Sequence, residues 1–174
     1  MDEVARLIES FRSVAATDDV DGSAKVEIVV KLEGRVGDER VLELFNAVIA
    51  DPDEYDLARI ECLKILRLWP PDEAGHRRVV GRTIATVLAA GDDDDLLVRQ
   101  YAAGALGPYT RDATVFDTLA GALVDDEDID VRYNALSSVE EAGADERAVA
   151  LLTRLADDPR FRSAALRTLR TWTS

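Results

Sequence analysis

The sequence predicts an all-α chain of about five stacked helix pairs, an α solenoid, on three observations. A short pattern recurs at repeat-sized intervals along the 174 residues, two distant stretches align without a gap, and the recurring positions share one helical face. A single helix pair cannot bury its apolar stripe alone, so tandem pairs have to cover one another.

The pattern is an apolar residue, an arginine, two variable residues and a small residue. It occurs as Val131-Arg132-Tyr133-Asn134-Ala135, Val98-Arg99-Gln100-Tyr101-Ala102, Ala58-Arg59-Ile60-Glu61-Cys62 and Phe161-Arg162-Ser163-Ala164-Ala165. Seven residues after each arginine stands Val139, Leu106, Leu66 or Leu169. Near the N-terminus, residues 25–52 align with residues 132–159 at a constant offset of 107, which places Asp38-Glu39-Arg40 on Asp145-Glu146-Arg147. Lys25 therefore occupies the arginine column, Ile28 the small-residue column and Leu32 the apolar one.

These positions define the second helix, B, of each pair. Relative to the basic residue, positions −1, +3, +4 and +7 fall on one side at 3.6 residues per turn and are apolar or small in all five copies. The preceding A helices read as amphipathic stretches at 4–15, 41–50, 79–90, 115–124 and 148–156. Asp38 and Asp145 are predicted N-caps, Gly91 and Gly143 predicted C-terminal stops, and Pro70-Pro71 ends the second B helix. The stretch 25–34 is rich in β-branched residues that also suit a strand; its place in the repeat assigns it to a helix. The repeats span about 2–34, 38–70, 73–108, 113–142 and 146–172, and together form a single domain over 1–174. Asp2, Glu3, Arg6, Glu9 and Arg12 at one end, and Arg160, Arg167 and Arg170 at the other, supply the polar outer faces that terminal repeats need.

The valine-arginine start of helix B and the aspartate-rich turn before it resemble the HEAT-repeat family. Asp19, Asp53, Asp93 and Asp126 each lie six residues before the basic column, and the last repeat departs from this with Asp157 five before Arg162. The resemblance implies a right-handed α-α superhelix whose B helices line a concave groove. It implies architecture more than activity.

Composition narrows the function. Thirty-five acidic residues against 21 basic ones leave a net charge of −14, which opposes binding to phosphate backbones and suits a basic protein partner. With Cys62 as the one cysteine, no disulfide can form within the chain. The start Met1-Asp2-Glu3-Val4 lacks the basic and apolar regions of a signal peptide, and no apolar run approaches the roughly 20 residues that span a bilayer. The expected location is the cytoplasm, without nucleic acid or membrane as partner.

Little in the chain suggests catalysis. His76 is the one histidine, at the start of a helix and expected on the surface, and Cys62 falls in the small-residue core column, so no catalytic residue, metal site or cofactor is assigned. Gly104 and Gly107 read as points of close helix approach rather than a phosphate loop. Lys25, Arg59, Arg99, Arg132 and Arg162 form a ladder expected to bond to aspartates and carbonyls of its own and neighbouring turns. Trp69, Tyr109 and Trp172 share a column at the end of helix B that points to packing between repeats.

Two surfaces remain as protein-binding candidates. One is the face of helix B turned from the core, carrying Val26, Ile60, Glu61, Lys64, Gln100, Tyr101, Tyr133, Asn134 and Ser137. The other is the row of A–B turns, which all project from one edge of a solenoid. Their acids include Asp18, Asp19 and Asp21 in the first turn and Asp92, Asp93, Asp94 and Asp95 in the third. Four consecutive aspartates exceed what helix capping needs, and no turn has the spacing of an EF-hand calcium loop. The expected function is a scaffold or inhibitor that binds a basic protein, with an immunity or antitoxin protein as its specific form, since small acidic repeat proteins of this kind occur in bacterial toxin systems. The resemblance also admits a cofactor-handling enzyme or enzyme subunit of the bilin-lyase type. Base-excising relatives need a basic groove, and metal-dependent hydroxylase relatives need paired His-Glu motifs; this chain has neither.

Overall fold

Each stretch with a 3.6-residue apolar period folds as a helix. A computed structural model describes residues 2–14, 22–90 and 95–173 and shows no strand among them. In chain order the α-helices are α1 (Glu3–Ser13), α2 (Ser23–Leu32), α3 (Glu39–Ala50), α4 (Asp56–Leu68), α5 (Ala74–Ala89), α6 (Leu96–Ala105), α7 (Ala113–Asp125), α8 (Ile129–Ala142), α9 (Glu146–Leu155) and α10 (Arg162–Trp172). Short 3-10 turns follow α2 at Glu33–Arg35 and α6 at Gly107–Tyr109.

Each odd-numbered helix packs on the even-numbered helix after it. Contacts also run from α1 to α3 to α5 to α7 in one layer and from α2 to α4 to α6 to α8 in the other. This is the two-layer arrangement of an α solenoid. The last pair joins it through Thr168, whose hydroxyl donates to Glu140 on α8, and Arg147, which lies 4.4 Å from the Phe116 ring centroid and donates to the Thr110 carbonyl at 3.0 Å.

The β-branched stretch is helical as α2, because Val29 and Leu32 are fully buried against neighbouring helices. Tertiary burial outweighs the weak strand preference of valine and isoleucine. The small-residue column (Cys62, Ala102, Ala135, Ala165) is wholly buried, as are Leu32, Leu66, Leu106 and Val139 seven residues after the ladder; Leu169 is half-buried. Burial pushes the Cys62 thiol well above its ordinary pKa, so it stays a neutral packing group.

Helix ends follow local chemistry. Asp38 accepts from the Arg40 amide at 3.0 Å and Asp145 from the Ala148 amide at 2.8 Å, with Asp2, Asp112 and Asp128 capping in the same way. Gly143 closes α8 at φ 87°, a conformation costly for any side chain. α4 stops at Leu68, before Pro70-Pro71. Gly91 and Ala15, expected to close α5 and α1, lie outside the described residues. One boundary differs by more than two residues: α5 begins at Ala74, five residues before the predicted start at Val79. Its first turn is polar and partly solvated, so no hydrophobic period marks it; Arg77 ties it down by donating to the Pro71 carbonyl at 2.8 Å.

The aromatic column divides. Tyr109 is buried and its hydroxyl donates to the Leu66 carbonyl at 2.6 Å, linking the third pair to the second. Trp172 packs half-buried against the core. Trp69, expected in the same packing role, leaves 57% of its surface in solvent, and its indole donates to Glu33 instead.

Candidate functional site

The ladder is the frame on which both candidate surfaces rest. Nε of each arginine donates to a carbonyl near the end of its own A helix: Arg59 to Ile49 at 3.3 Å, Arg99 to Leu88 at 3.2 Å, Arg132 to Leu123 at 2.9 Å and Arg162 to Ala156 at 3.0 Å. A cation there satisfies carbonyls that the helix leaves without partners and opposes the negative end of its dipole. The other end of the side chain reaches the next turn. Arg59 pairs with Asp95 at 2.6 Å, Arg132 with Asp158 at 2.7 Å, Arg99 with Asp126, and Lys25 with Glu54 at 2.7 Å. The last arginine of the ladder, Arg162, is exposed and makes no ion pair among the described residues.

The carboxylate partners do not keep one register. Asp126 stands six residues before its local arginine, Glu54 five, and Asp95 and Asp158 four. Asp53, at the repeating position, is exposed and not the partner. Turn length varies, so the acid nearest the incoming guanidinium changes from turn to turn.

Pairing sets a pH dependence. The hydrogen bond from Arg132 holds Asp158 below the usual carboxylate range, helped by the Arg160 amide. Its folded pKa is depressed, so its contribution to stability is present above the unfolded value near 3.8 and is lost as pH falls through the lower folded value. Asp158→Asn should therefore be less stable than the wild type at pH 7, and the gap in melting temperature should narrow below about pH 4. Comparing the two proteins cancels the general easing of acid–acid repulsion; a gap unchanged down to about pH 2.5 would remove the Asp158 pairing from the ladder.

The central B helices form the groove. Lys64 on α4, Gln100 and Tyr101 on α6 and Asn134 on α8 line one concavity of about 370 Å³, floored by Leu63, Gly104 and Ala105. Tyr101 leaves 43% of its surface exposed over it. Glu61 holds the Lys64 ammonium at 2.6 Å, Gln100 donates to Asp128 at 3.2 Å, and Asn134 donates to the Asp130 carbonyl at 2.9 Å. The Asp130 carboxylate is exposed and makes no ion pair among the described residues.

Other groove residues lie elsewhere. Ile60, expected on the outward face, is 95% covered, at 5% exposure, because α4 runs between α2 and α6 and its first outward position meets a neighbour. Val26 packs half-buried on the core at the N-terminal end, and Ser137 is half-buried. Tyr133 is 48% exposed, but its ring lies 4.9 Å from that of Phe161, so it belongs partly to the junction with the last pair.

The groove's far end lies beyond the outward residues predicted from the repeat. Arg67 on α4 bonds to Glu141 on α8 at 2.9 Å, passing across α6 to reach a helix two pairs on. The crossing needs the small residues expected to permit close approach: a Cβ on Gly107 would stand 3.0 Å from the Glu141 carboxyl carbon. Arg67 continues the outward face one turn beyond Lys64, so extending that face by a turn would have found it. Glu141 shows no repeat signal, because the bridge occurs at one place among the described residues.

At the acidic edge, Asp18, Asp19, Asp21, Asp92, Asp93 and Asp94 lie outside the described residues. Asp95, Asp126 and Asp158 are engaged by the ladder. Asp53, Asp125, Glu127 and Asp157 are exposed, and their carboxylates have no partner among the described residues. The edge thus has a structural set of acids and a free set. His76, expected on the surface, is half-buried, with Nδ1 3.3 Å from Glu73. No helix among the described residues is long and apolar enough to cross a membrane.

A family model described as HEAT repeats matches residues 84–170, half of the chain, from the middle of α5 into α10. No curated protein matches the chain.

Proposed function

We propose that this chain, which belongs to the HEAT-repeat family, binds a basic protein through the groove at Tyr101, with the free acids of the A–B turns drawing the partner in. HEAT repeats generally mediate protein–protein interaction. The observation that carries the reading is the exposed Tyr101 side chain over a concavity floored by Gly104 and Ala105, on a chain of net charge −14. Aromatic side chains at the centre of a concave surface supply contact area at low entropic cost, and opposite charge raises the encounter rate. The proposed role is binding rather than catalysis, in keeping with a buried, neutral Cys62 thiol and a His76 that stands beside Glu39 and Glu73.

In its specific form the chain is an immunity or antitoxin protein that masks a basic nuclease domain. The test is co-expression with the basic C-terminal domain of a toxin encoded beside it, read by size-exclusion chromatography and nuclease assay. A stable complex with suppressed cleavage, weakened by Tyr101→Ala, is the expected result. Failure to bind or inhibit that domain would reject the immunity role. A complex indifferent to Tyr101→Ala would place the interface outside the groove.

A further inference from the structure

A concavity of about 890 Å³ lies away from both the groove and the acidic turns. It opens on the opposite edge of the solenoid, where α2 and α4 end and α5 begins. Val36 and Leu42, both buried, form its base, and Leu68 and Trp69 stand beside them with 67% and 57% of their surfaces exposed. These two adjacent apolar side chains form an exposed apolar patch at the mouth of the concavity.

The indole is held in place. Its Nε1 donates to Glu33 Oε1 at 3.1 Å, tying the end of α4 to the end of α2. Acids share the concavity with it: Glu33, Asp72 and Glu73 all line it, and the Asp72 carboxylate is exposed with no partner among the described residues. Of the two basic lining residues, Arg77 spends its Nε on the Pro71 carbonyl and His76 faces Glu73.

An anchored indole in a concavity lined by carboxylates selects a flat cation with an apolar stem. Guanidinium stacks on aromatic faces and bonds carboxylates in a forked geometry, which a compact ammonium cannot match. The chain already uses this pairing internally, with Arg132 4.5 Å from the Phe161 ring centroid and Arg147 4.4 Å from that of Phe116. The geometry points to a second docking site: the Trp69 concavity takes an arginine side chain from an extended segment of a partner protein. The guanidinium lies against the indole and the acids of Asp72 and Glu73, and an apolar neighbour in the segment covers Leu68. This site stands independently of the Tyr101 groove.

The full chain has two tryptophans, so its two indole N–H signals in a 15N spectrum are separable and assignable by Trp172→Phe. The probe is a blocked hexapeptide alternating leucine and arginine, compared with the same peptide carrying neutral citrulline for arginine. The arginine peptide should move the Trp69 signal to saturation and leave Trp172 in place, and the citrulline peptide should bind about tenfold more weakly. Trp69→Leu should weaken the arginine peptide by a similar factor, Trp69→Phe by less, and the Asp72→Asn, Glu73→Gln pair by about fivefold. Tyr101→Ala should leave it unchanged, which separates this site from the groove. Equal binding of the two peptides, an unmoved Trp69 signal, or wild-type affinity in Trp69→Leu would each overturn the proposal.

Discussion

Arg59→Ala is expected to cost about 3–5 kcal/mol, the largest loss from any single ladder substitution. Arg59 is 2% exposed and joins the Ile49 carbonyl to Asp95 of the next turn. Removing it leaves a carboxylate and a helix-end carbonyl without their partner beside a cavity the size of a guanidinium. Chains of this size have stabilities of about 5–15 kcal/mol, so the midpoint of thermal unfolding should fall by roughly 10 °C. Because each repeat is held mainly by its neighbours, fluorescence and circular dichroism should also cease to coincide as the first two pairs melt apart from the rest. Arg162→Ala is the matched control. Its side chain is exposed and bonds one carbonyl among the described residues, so the cost should stay below about 1 kcal/mol. Similar losses in the two variants would show that burial and the carboxylate contribute nothing to the ladder.

The second large effect is a division of binding kinetics between the two surfaces. The free acids Asp53, Asp125, Glu127 and Asp157 can be changed to their amides without touching a ladder pair, unlike Asp95. Neutralising all four should slow association with a basic partner by about tenfold at low salt and leave dissociation nearly unchanged. Added salt should slow the wild type in the same way, because screening over about 10 Å at 0.1 M removes the same attraction. Tyr101→Ala should speed dissociation by a factor corresponding to about 2 kcal/mol, the loss typical of a buried aromatic anchor. Tyr133→Ala is the weaker probe, since its contact with Phe161 couples binding to the stability of the last pair. Stopped-flow and surface-plasmon measurements read both rates. An unchanged association rate at low salt would make the free acids a solvated edge, and an unchanged dissociation rate in Tyr101→Ala would remove the groove.

The solenoid was legible in the sequence because its determinants are local and repeated. The column of Cys62, Ala102, Ala135 and Ala165 had to be small wherever two helices cross closely, and the arginine ladder recurs because every A helix ends in carbonyls that need a donor. Capping at Asp38 and Asp145 and termination at Gly143 follow from chemistry within three or four residues. α2 is the intermediate case, in which the β-branched composition also suits a strand and the repeat register assigns a helix.

The sites depend on contacts between repeats, which no local pattern encodes. Tertiary packing decided that Ile60 is covered while Tyr101, one position further along its own helix, stays open. It chose Glu54, Asp95, Asp126 and Asp158 from among many turn acids as ladder partners, by distance across turns of unequal length. It joined Arg67 to Glu141 over Gly107, and it left Trp69 at the mouth of a cavity while its column-mate Tyr109 was buried. A sequence period of about one repeat determines which residues face the core. Which outward residues meet a neighbour, and which meet solvent, is decided by how each pair is laid against the next.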